Sequence, residues 1–327
     1  MTISRRGLTA AIAVFAAGLC ASTFVQAQSY PTKPIKIIIP SAAGGPTDVP
    51  ARFAQQFLPP KLGQPIVIEN RPGAAGAIGA RAVAGSTPDG YTLMIGNTST
   101  LAVIPAVSAS AGYDPVKDFT PIMKVTEGFQ ILVVHPDSPF KTVKDVVDYA
   151  KANPGKLNYA STGRGGLPHL AAELFMLRTG TKMNMVPYRS GGESNTAVLT
   201  KAVDLTFENV AILGALVRDG KLRALGVQNN SRTQVMPNVP TMAEAGVPDC
   251  EANTFFGLVA PARTPGNIVE ILSKAMNEGM QQPEVQKRIN ALGTTATVGT
   301  PAEFAAYIAV QHKKWVEVGK AAGVKIN

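Results

Sequence analysis

Three short stretches carry the residue types needed to hold an anion. Ser41-Ala42-Ala43-Gly44-Gly45-Pro46-Thr47-Asp48 follows the β-branched run Ile35-Lys36-Ile37-Ile38-Ile39 and precedes a helical pattern from Val49 to Leu58. Ser161-Thr162-Gly163-Arg164-Gly165-Gly166 and Tyr188-Arg189-Ser190-Gly191-Gly192-Glu193 repeat the arrangement. A glycine turn at a helix start leaves backbone N–H groups unpaired at the positive end of the helix dipole, which suits a negative group. In the first stretch Pro46 is expected in the first helical turn, with Thr47 or Asp48 as its cap. An ordinary strand-to-helix turn with nothing bound has the same residues, so the first stretch alone leaves both readings open.

The side chains in these turns narrow the chemistry. Ser41, Ser161 and Ser190 sit at strand ends beside glycines, with no neighbouring base and no G-x-S-x-G elbow. Their hydroxyls suit turns and caps, or hydrogen bonds to a ligand oxygen. Their placement on three loops expected to converge favours the second role. Arg164 is a lone cation in a glycine turn, and its guanidinium can grip a carboxylate through two bonds or lie solvated at the surface. Arg189 is a similar candidate. Asp48 and Glu208 can accept bonds from ligand hydroxyls or cap helices. His169 lies just inside the helix after the second turn, where it borders the site or serves in capping and packing. Asn97-Thr98 ends another strand. The 3 histidines, His135, His169 and His312, lie on separate elements without metal-ligand spacing. The spacing Gly73/Gly76/Gly79 is not a dinucleotide fingerprint, and no Walker lysine follows a glycine loop. No metal and no cofactor are therefore expected.

The elements that must position these turns alternate strand and helix. Residues 31–121 read as strand, helix, strand, helix, strand, with strands at 65–69 and 91–96 and a helix over 77–84. That order predicts a parallel sheet. A second block of the same grammar has strands at 131–135, 157–160, 183–187, 203–207 and 223–227. A strand at 253–261 leaves it, and three helices from Ile268 to Ala322 have no further strands, so they are expected to pack back on the first block. The chain thus divides into residues 28–128 with 253–327 as a discontinuous first lobe, and 129–252 as a second lobe. Two crossings, near Gly128 and Phe256, make a hinge. Ligands in such sheets sit beyond the carboxyl ends of strands, so the facing turns define a central cleft.

Composition fits an exported protein. Residues 1–27 have the three parts of a secretory signal: Arg5 and Arg6, an apolar stretch from Leu8 to Leu19, and Val25-Gln26-Ala27 as cleavage site, leaving Gln28 as the mature terminus. Leu19 occupies the place where lipidation of Cys20 wants a small residue, so a lipoprotein is not expected. Cleavage leaves Cys250 alone, an incidental or structural thiol with no disulfide partner. No later stretch approaches the roughly 18 unbroken apolar residues a spanning helix needs. The formal charge of +9 falls to +7 without the two leader arginines. The basic residues are scattered and the aromatics few, which together with export argues against a nucleic-acid partner and fits a mild positive field for small anions.

Several strings then resemble one family. Ala42-Ala43-Gly44-Gly45-Pro46-Thr47-Asp48-Val49, Glu69-Asn70-Arg71-Pro72-Gly73-Ala74, Pro88-Asp89-Gly90-Tyr91-Thr92-Leu93, Tyr159-Ala160-Ser161-Thr162-Gly163, His169-Leu170, Val186-Pro187-Tyr188-Arg189 and Phe207-Glu208-Asn209 resemble the tripartite tricarboxylate transporter solute receptors, the Bug-type periplasmic binding proteins. The likeness runs through essentially the whole mature chain. It implies an α/β, two-lobed type II periplasmic-binding-protein fold closing on its ligand. It also implies a carboxylate held by backbone amides and ordered water at Ser41 to Asp48, with the turns at Ser161 to Gly166 and Ser190 to Gly192 opposite. A membrane permease is the implied partner of a receptor expected to act as a monomer. Arg164 stands where the family often has a small or neutral residue, and Glu208 where it commonly has Asp; both reshape the far end of the pocket. Arg164 is expected to pair with a second carboxylate. Two other readings remain open here: an exported hydrolase or lyase using a serine and His169, and a sensor that presents the acid to a membrane kinase.

Overall fold

The computed structural model describes residues 30–326. The leader, Cys20 and the mature terminus at Gln28 lie outside the described residues. The elements are β1 (Ile35–Ile39), α1 (Asp48–Leu62), β2 (Ile66–Asn70), α2 (Ala77–Ala84), β3 (Thr92–Asn97), α3 (Ile104–Val107), β4 (Phe119–Val134), α4 (Val143–Ala152), β5 (Asn158–Ser161) and α5 (Leu167–Thr179). They continue as β6 (Asn184–Pro187), α6 (Gly191–Leu199), β7 (Leu205–Asn209), α7 (Val210–Arg218), β8 (Arg223–Val227), β9 (Asn253–Pro261), α8 (Gly266–Met280), α9 (Pro283–Asn290), β10 (Thr295–Ala296) and α10 (Pro301–Ala321). A wide helical turn over Ser99–Val103 joins β3 to α3.

The strand order is β2-β1-β3-β9-β4-β7-β5-β6, with β8 and β10 also paired to β4. The strands that carry the glycine turns are parallel, as the alternating pattern predicts: β1 with β2 and β3, and β5 with β6 and β7. The sheet as a whole is mixed, however, because β9 runs antiparallel to β3 and β4, and β4 runs antiparallel to β7, β8 and β10. The antiparallel pairs close the gap between the two parallel sets, a role that a strand-helix-strand pattern does not reveal.

β4 holds the halves together. It pairs with β9 as far as Phe129↔Asn253 and with β7 from Gln130↔Asn209. The second passage of the chain is tied to it where Gln130 N donates to Ala252 O at 3.1 Å and Gln228 N to Gln130 O at 2.9 Å. Two apolar clusters flank the first half. One gathers Ile35, Ile37 and Ile39 with Phe53 and Leu58 of α1 and with Leu272 and Met276 of α8. The C-terminal helices do therefore return to the first block. The other runs across both halves. It joins Leu101 to Val103, Phe304, Ile308, Trp315 and Val318 to Leu170, Leu174 and Phe175 of α5 and to Leu132 and Phe207. Of the 13 residues of α5, 10 are buried, so it is an apolar helix covered all round rather than a one-sided surface helix.

Candidate functional site

The first turn is shaped by its acid. α1 begins at Asp48, two residues later than Pro46 suggests, and Thr47 makes no cap bond with its side chain. The Asp48 Oδ2 instead accepts from Gly44 N at 2.7 Å, and Asp48 N donates to Gly45 O at 3.0 Å. Gly44 has φ +77°, a backbone state that side-chain-bearing residues rarely adopt. The neighbouring strand ends brace the loop. Asn70 Nδ2 donates to Ser41 O at 3.0 Å, and Asn97 Nδ2 donates to Thr47 Oγ1 at 3.1 Å. Ala42, Ala43 and Gly44 remain exposed, while the Ser41 Oγ is buried with no protein partner among the described residues. A buried hydroxyl of this kind is one that water or a ligand completes.

The second set of turns lies at the carboxyl ends of β5, β6 and β7. Tyr188 N donates to Ser161 O at 2.8 Å, which joins the first two of these turns. Ser190 caps α6 by accepting from Glu193 N at 3.2 Å, while Glu193 Oε2 accepts from Arg189 N at 3.0 Å. Gly191 lies over Glu208: a Cβ built at Gly191 would stand 3.1 Å from Glu208 Oε2. Asn209 caps α7, its Oδ1 accepting from Ala211 N at 2.9 Å, and its Nδ2 is buried without a partner among the described residues.

Two residues expected beside a ligand are turned into the protein. Thr98 is 0 % exposed; its Oγ1 accepts from Phe255 N at 2.8 Å and donates to Asn253 O at 3.3 Å, binding β3 to the start of β9. His169 is buried, with Nδ1 accepting from Gly165 N at 3.1 Å and Nε2 3.3 Å from Glu173 Oε1. Both ring nitrogens are engaged, so His169 shapes the Ser161–Gly166 turn from beneath. Ser161 is also buried, its Oγ donating to Gly163 O at 3.4 Å. Arg164 is exposed, with no ion pair or hydrogen bond among the described residues. It lies within electrostatic reach of Tyr159. Burial and the Glu173 carboxylate push the Tyr159 hydroxyl above its ordinary range, and the Arg164 guanidinium pulls the other way.

The two sets of turns meet through a serine absent from the sequence-based site. α5 has no side-chain cap of its own at Gly166, and Leu167 N donates instead to Ser99 Oγ at 2.9 Å. That bond spans 68 positions, so no local pattern announces it. The other missed residues, Asn70 and Asn209, share a signal with the expected Asn97: β2, β3 and β7 all end in asparagine, and each amide fixes a loop at that edge. Ser99→Ala is expected to lower stability by about 1 kcal/mol, the usual value of a lost helix cap. Urea denaturation checks this, and an unchanged midpoint would show that the cap is idle.

Cys250 is buried and free, its Sγ 3.4 Å from Gln228 Nε2. Among the described residues there is no cluster of metal-ligating side chains and no helix long and apolar enough to cross a membrane. A groove of about 460 Å³ along α1 and α9 shares only Asp48 with the first turn and lies outside the set of strand ends.

Two sheet halves, each presenting glycine turns at the carboxyl ends of parallel strands and joined by two passages of chain, define a two-lobed solute-binding receptor. The sequence pattern of the tripartite tricarboxylate transporter family receptors matches residues 50–324, and the chain belongs to that family. It is 36% identical over 321 residues to Protein BugT of Bordetella pertussis, covering 98% of both chains. A Rhodopseudomonas palustris protein solved with adipate superposes with a TM-score of 0.86 at 32% identity, covering 90% of this chain and 99% of that one. MatC from the same organism, solved with malate, gives 0.84 at 31% identity, covering 88% and 99%.

Proposed function

We propose that this chain captures a small organic acid anion, a mono- or dicarboxylate, aliphatic or aromatic, in the periplasm and hands it unaltered to the membrane subunits of a tripartite tricarboxylate transporter. The observation that carries the reading is the exposed Ala42-Ala43-Gly44 corner ahead of α1, held open by Asp48, Asn70 and Asn97. Its backbone suits a carboxylate better than any side-chain cation in the first half. Family membership and the adipate and malate bound by two relatives support the same class of ligand. In this reading residues 28–128 and 253–327 form one lobe and 129–252 the other. Ser41 to Asp48 with Asn97 line one side of the cleft. Thr162 to Arg164, Tyr188, Ser190, Gly191 and Glu208 line the other. The receptor acts as a single chain after its leader is removed. Turnover is not part of the reading, since the family is one of receptors.

A thermal-shift screen of mono-, di- and tricarboxylates tests this, because a ligand at 100 times its Kd adds about 2.7 kcal/mol to stability. Unshifted melting with every acid, or chemical change of a bound one, overturns it. Within the screen, Arg164→Ala is expected to weaken diacids by about 1–3 kcal/mol, the range for a bond to a charged group, and to leave monoacids alone. Equal losses for both in titration calorimetry would remove the pairing of Arg164 with a second carboxylate.

A further inference from the structure

Glu208 is an acid in an unusual place. It is the fourth residue of β7, 4 % exposed, on the opposite face of the strand from Phe207, which packs in the cluster with α5. Its Oε1 accepts from Asn209 N at 2.8 Å. Its Oε2 lies against Gly191 and takes no bond among the described residues. No cation is paired with it among the described residues. On α6 and its turn, Arg189 is exposed and Glu193 is bonded to the Arg189 backbone. On α5, His169 faces Glu173, and Arg178 Nε donates to Asp249 O. The Gln130–Val134 stretch of β4 and the whole of β5 contain no charged residue, and Arg218 lies at the far end of α7. None of these groups forms an ion pair with Glu208 among the described residues.

An anion bound at the Gly191 corner and an ionised Glu208 would be two negative charges in one desolvated place. The exposed Arg164, engaged with the anion in the reading above, forms no ion pair with Glu208 among the described residues, so ionised Glu208 is strongly unfavourable there. Resting on the receptor reading above, we propose that Glu208 takes part in the pocket as a neutral carboxyl group, its Oε2–H donating to an oxygen of the bound acid, so that capture of the anion takes up one proton from solvent. A neutral donor at this point selects a second carboxylate or a carbonyl oxygen and disfavours a ligand ammonium, which needs an acceptor. Burial pushes the Glu208 carboxyl up to about 7, with the Asn209 N–H offsetting only part of the effect, so the neutral form is abundant at neutral pH before any ligand arrives.

The expected size follows from the fraction of chains holding the neutral form, since only these are competent. Adipate affinity is expected to fall about tenfold between pH 6 and pH 8, and calorimetry in buffers of different ionisation enthalpy to show close to one proton taken up per adipate at pH 8. In Glu208→Gln the side chain is a permanent donor, so affinity should change less than twofold over the same range and proton uptake should vanish. Adipate binding in the native protein without proton uptake at pH 8, or the same pH dependence in both proteins, overturns the proposal while leaving the receptor reading intact. A carbon-13 titration of the Glu208 carboxyl in the unliganded protein decides it independently of any ligand. A midpoint near 4 overturns it, and one near 7 supports it. Failure of every carboxylate to bind removes both readings together.

Discussion

Replacing Glu208 by Gln is expected to stabilise the unliganded protein at pH 8 by about 3 kcal/mol and to leave it unchanged below pH 4, at about 1.4 kcal/mol per unit of pKa difference. The carboxyl is raised by burial from 4.5 to about 7. Between those values the folded state binds more protons than the unfolded one, so stability falls as pH rises. Below pH 4.5 both states are protonated and the group contributes nothing; above pH 7 both are ionised and the full penalty remains. Glutamine keeps the shape and loses the titration. Urea unfolding of both proteins from pH 4 to pH 8 isolates this contribution, because every other titrating group is common to the pair. Parallel curves would show that the acid is solvated in the folded protein.

The second large effect is in the middle of the sheet. Gly257 of β9 lies between Gly96 of β3 and Lys124 of β4. A Cβ there would stand 2.2 Å from Phe304 Cζ and 2.9 Å from Met123 O, so the ring of α10 fills the space a side chain would take. Phe304 is buried and meets Phe255 edge to face at 5.9 Å. Gly257→Ala is expected to cost about 3 kcal/mol by overpacking. Phe304→Ala should cost about 3–5 kcal/mol through its cavity. The double variant should lose at least about 1 kcal/mol less than the two singles added, because each change relieves part of the other. The Met123 carbonyl stays where it is, so compensation is incomplete. Strict additivity in denaturant melts would show that the backbone of β9 shifts away from the ring.

The parts of the fold legible in the sequence are those with local causes. The Ile35–Ile39 run, the Thr142 cap with Asp145 in the first turn of α4, and the helix stop at Gly220 read directly as elements. β4 does not, since Pro121, Lys124, Thr126 and Gly128 break both the alternation and the apolar run over half its length. Its coherence comes from β9, more than a hundred residues later. The three glycine turns were visible as strand ends, but their supports were not. Asn70 and Ser99 act across 29 and 68 positions. Glu208 reads in the sequence as an acid at a strand end that accepts bonds from ligand hydroxyls or caps a helix; its burial against Gly191 is a tertiary fact. Thr98 and His169 have residue types suited to a ligand and are taken up by the chain's own amides instead.

Helix α5 has a mechanical consequence. Two strands alone would let the lobes swing freely, like a door. With α5 seated in one oily seam alongside α10 and the Ser99–Val103 turn, a wide swing would drag water into that seam. The travel compatible with a dry seam is a short glide of the lobes past each other, as in shear closure. In the receptor reading proposed above, a transporter would then sense whether the receptor is full at the rim of glycine corners rather than by a change in overall silhouette.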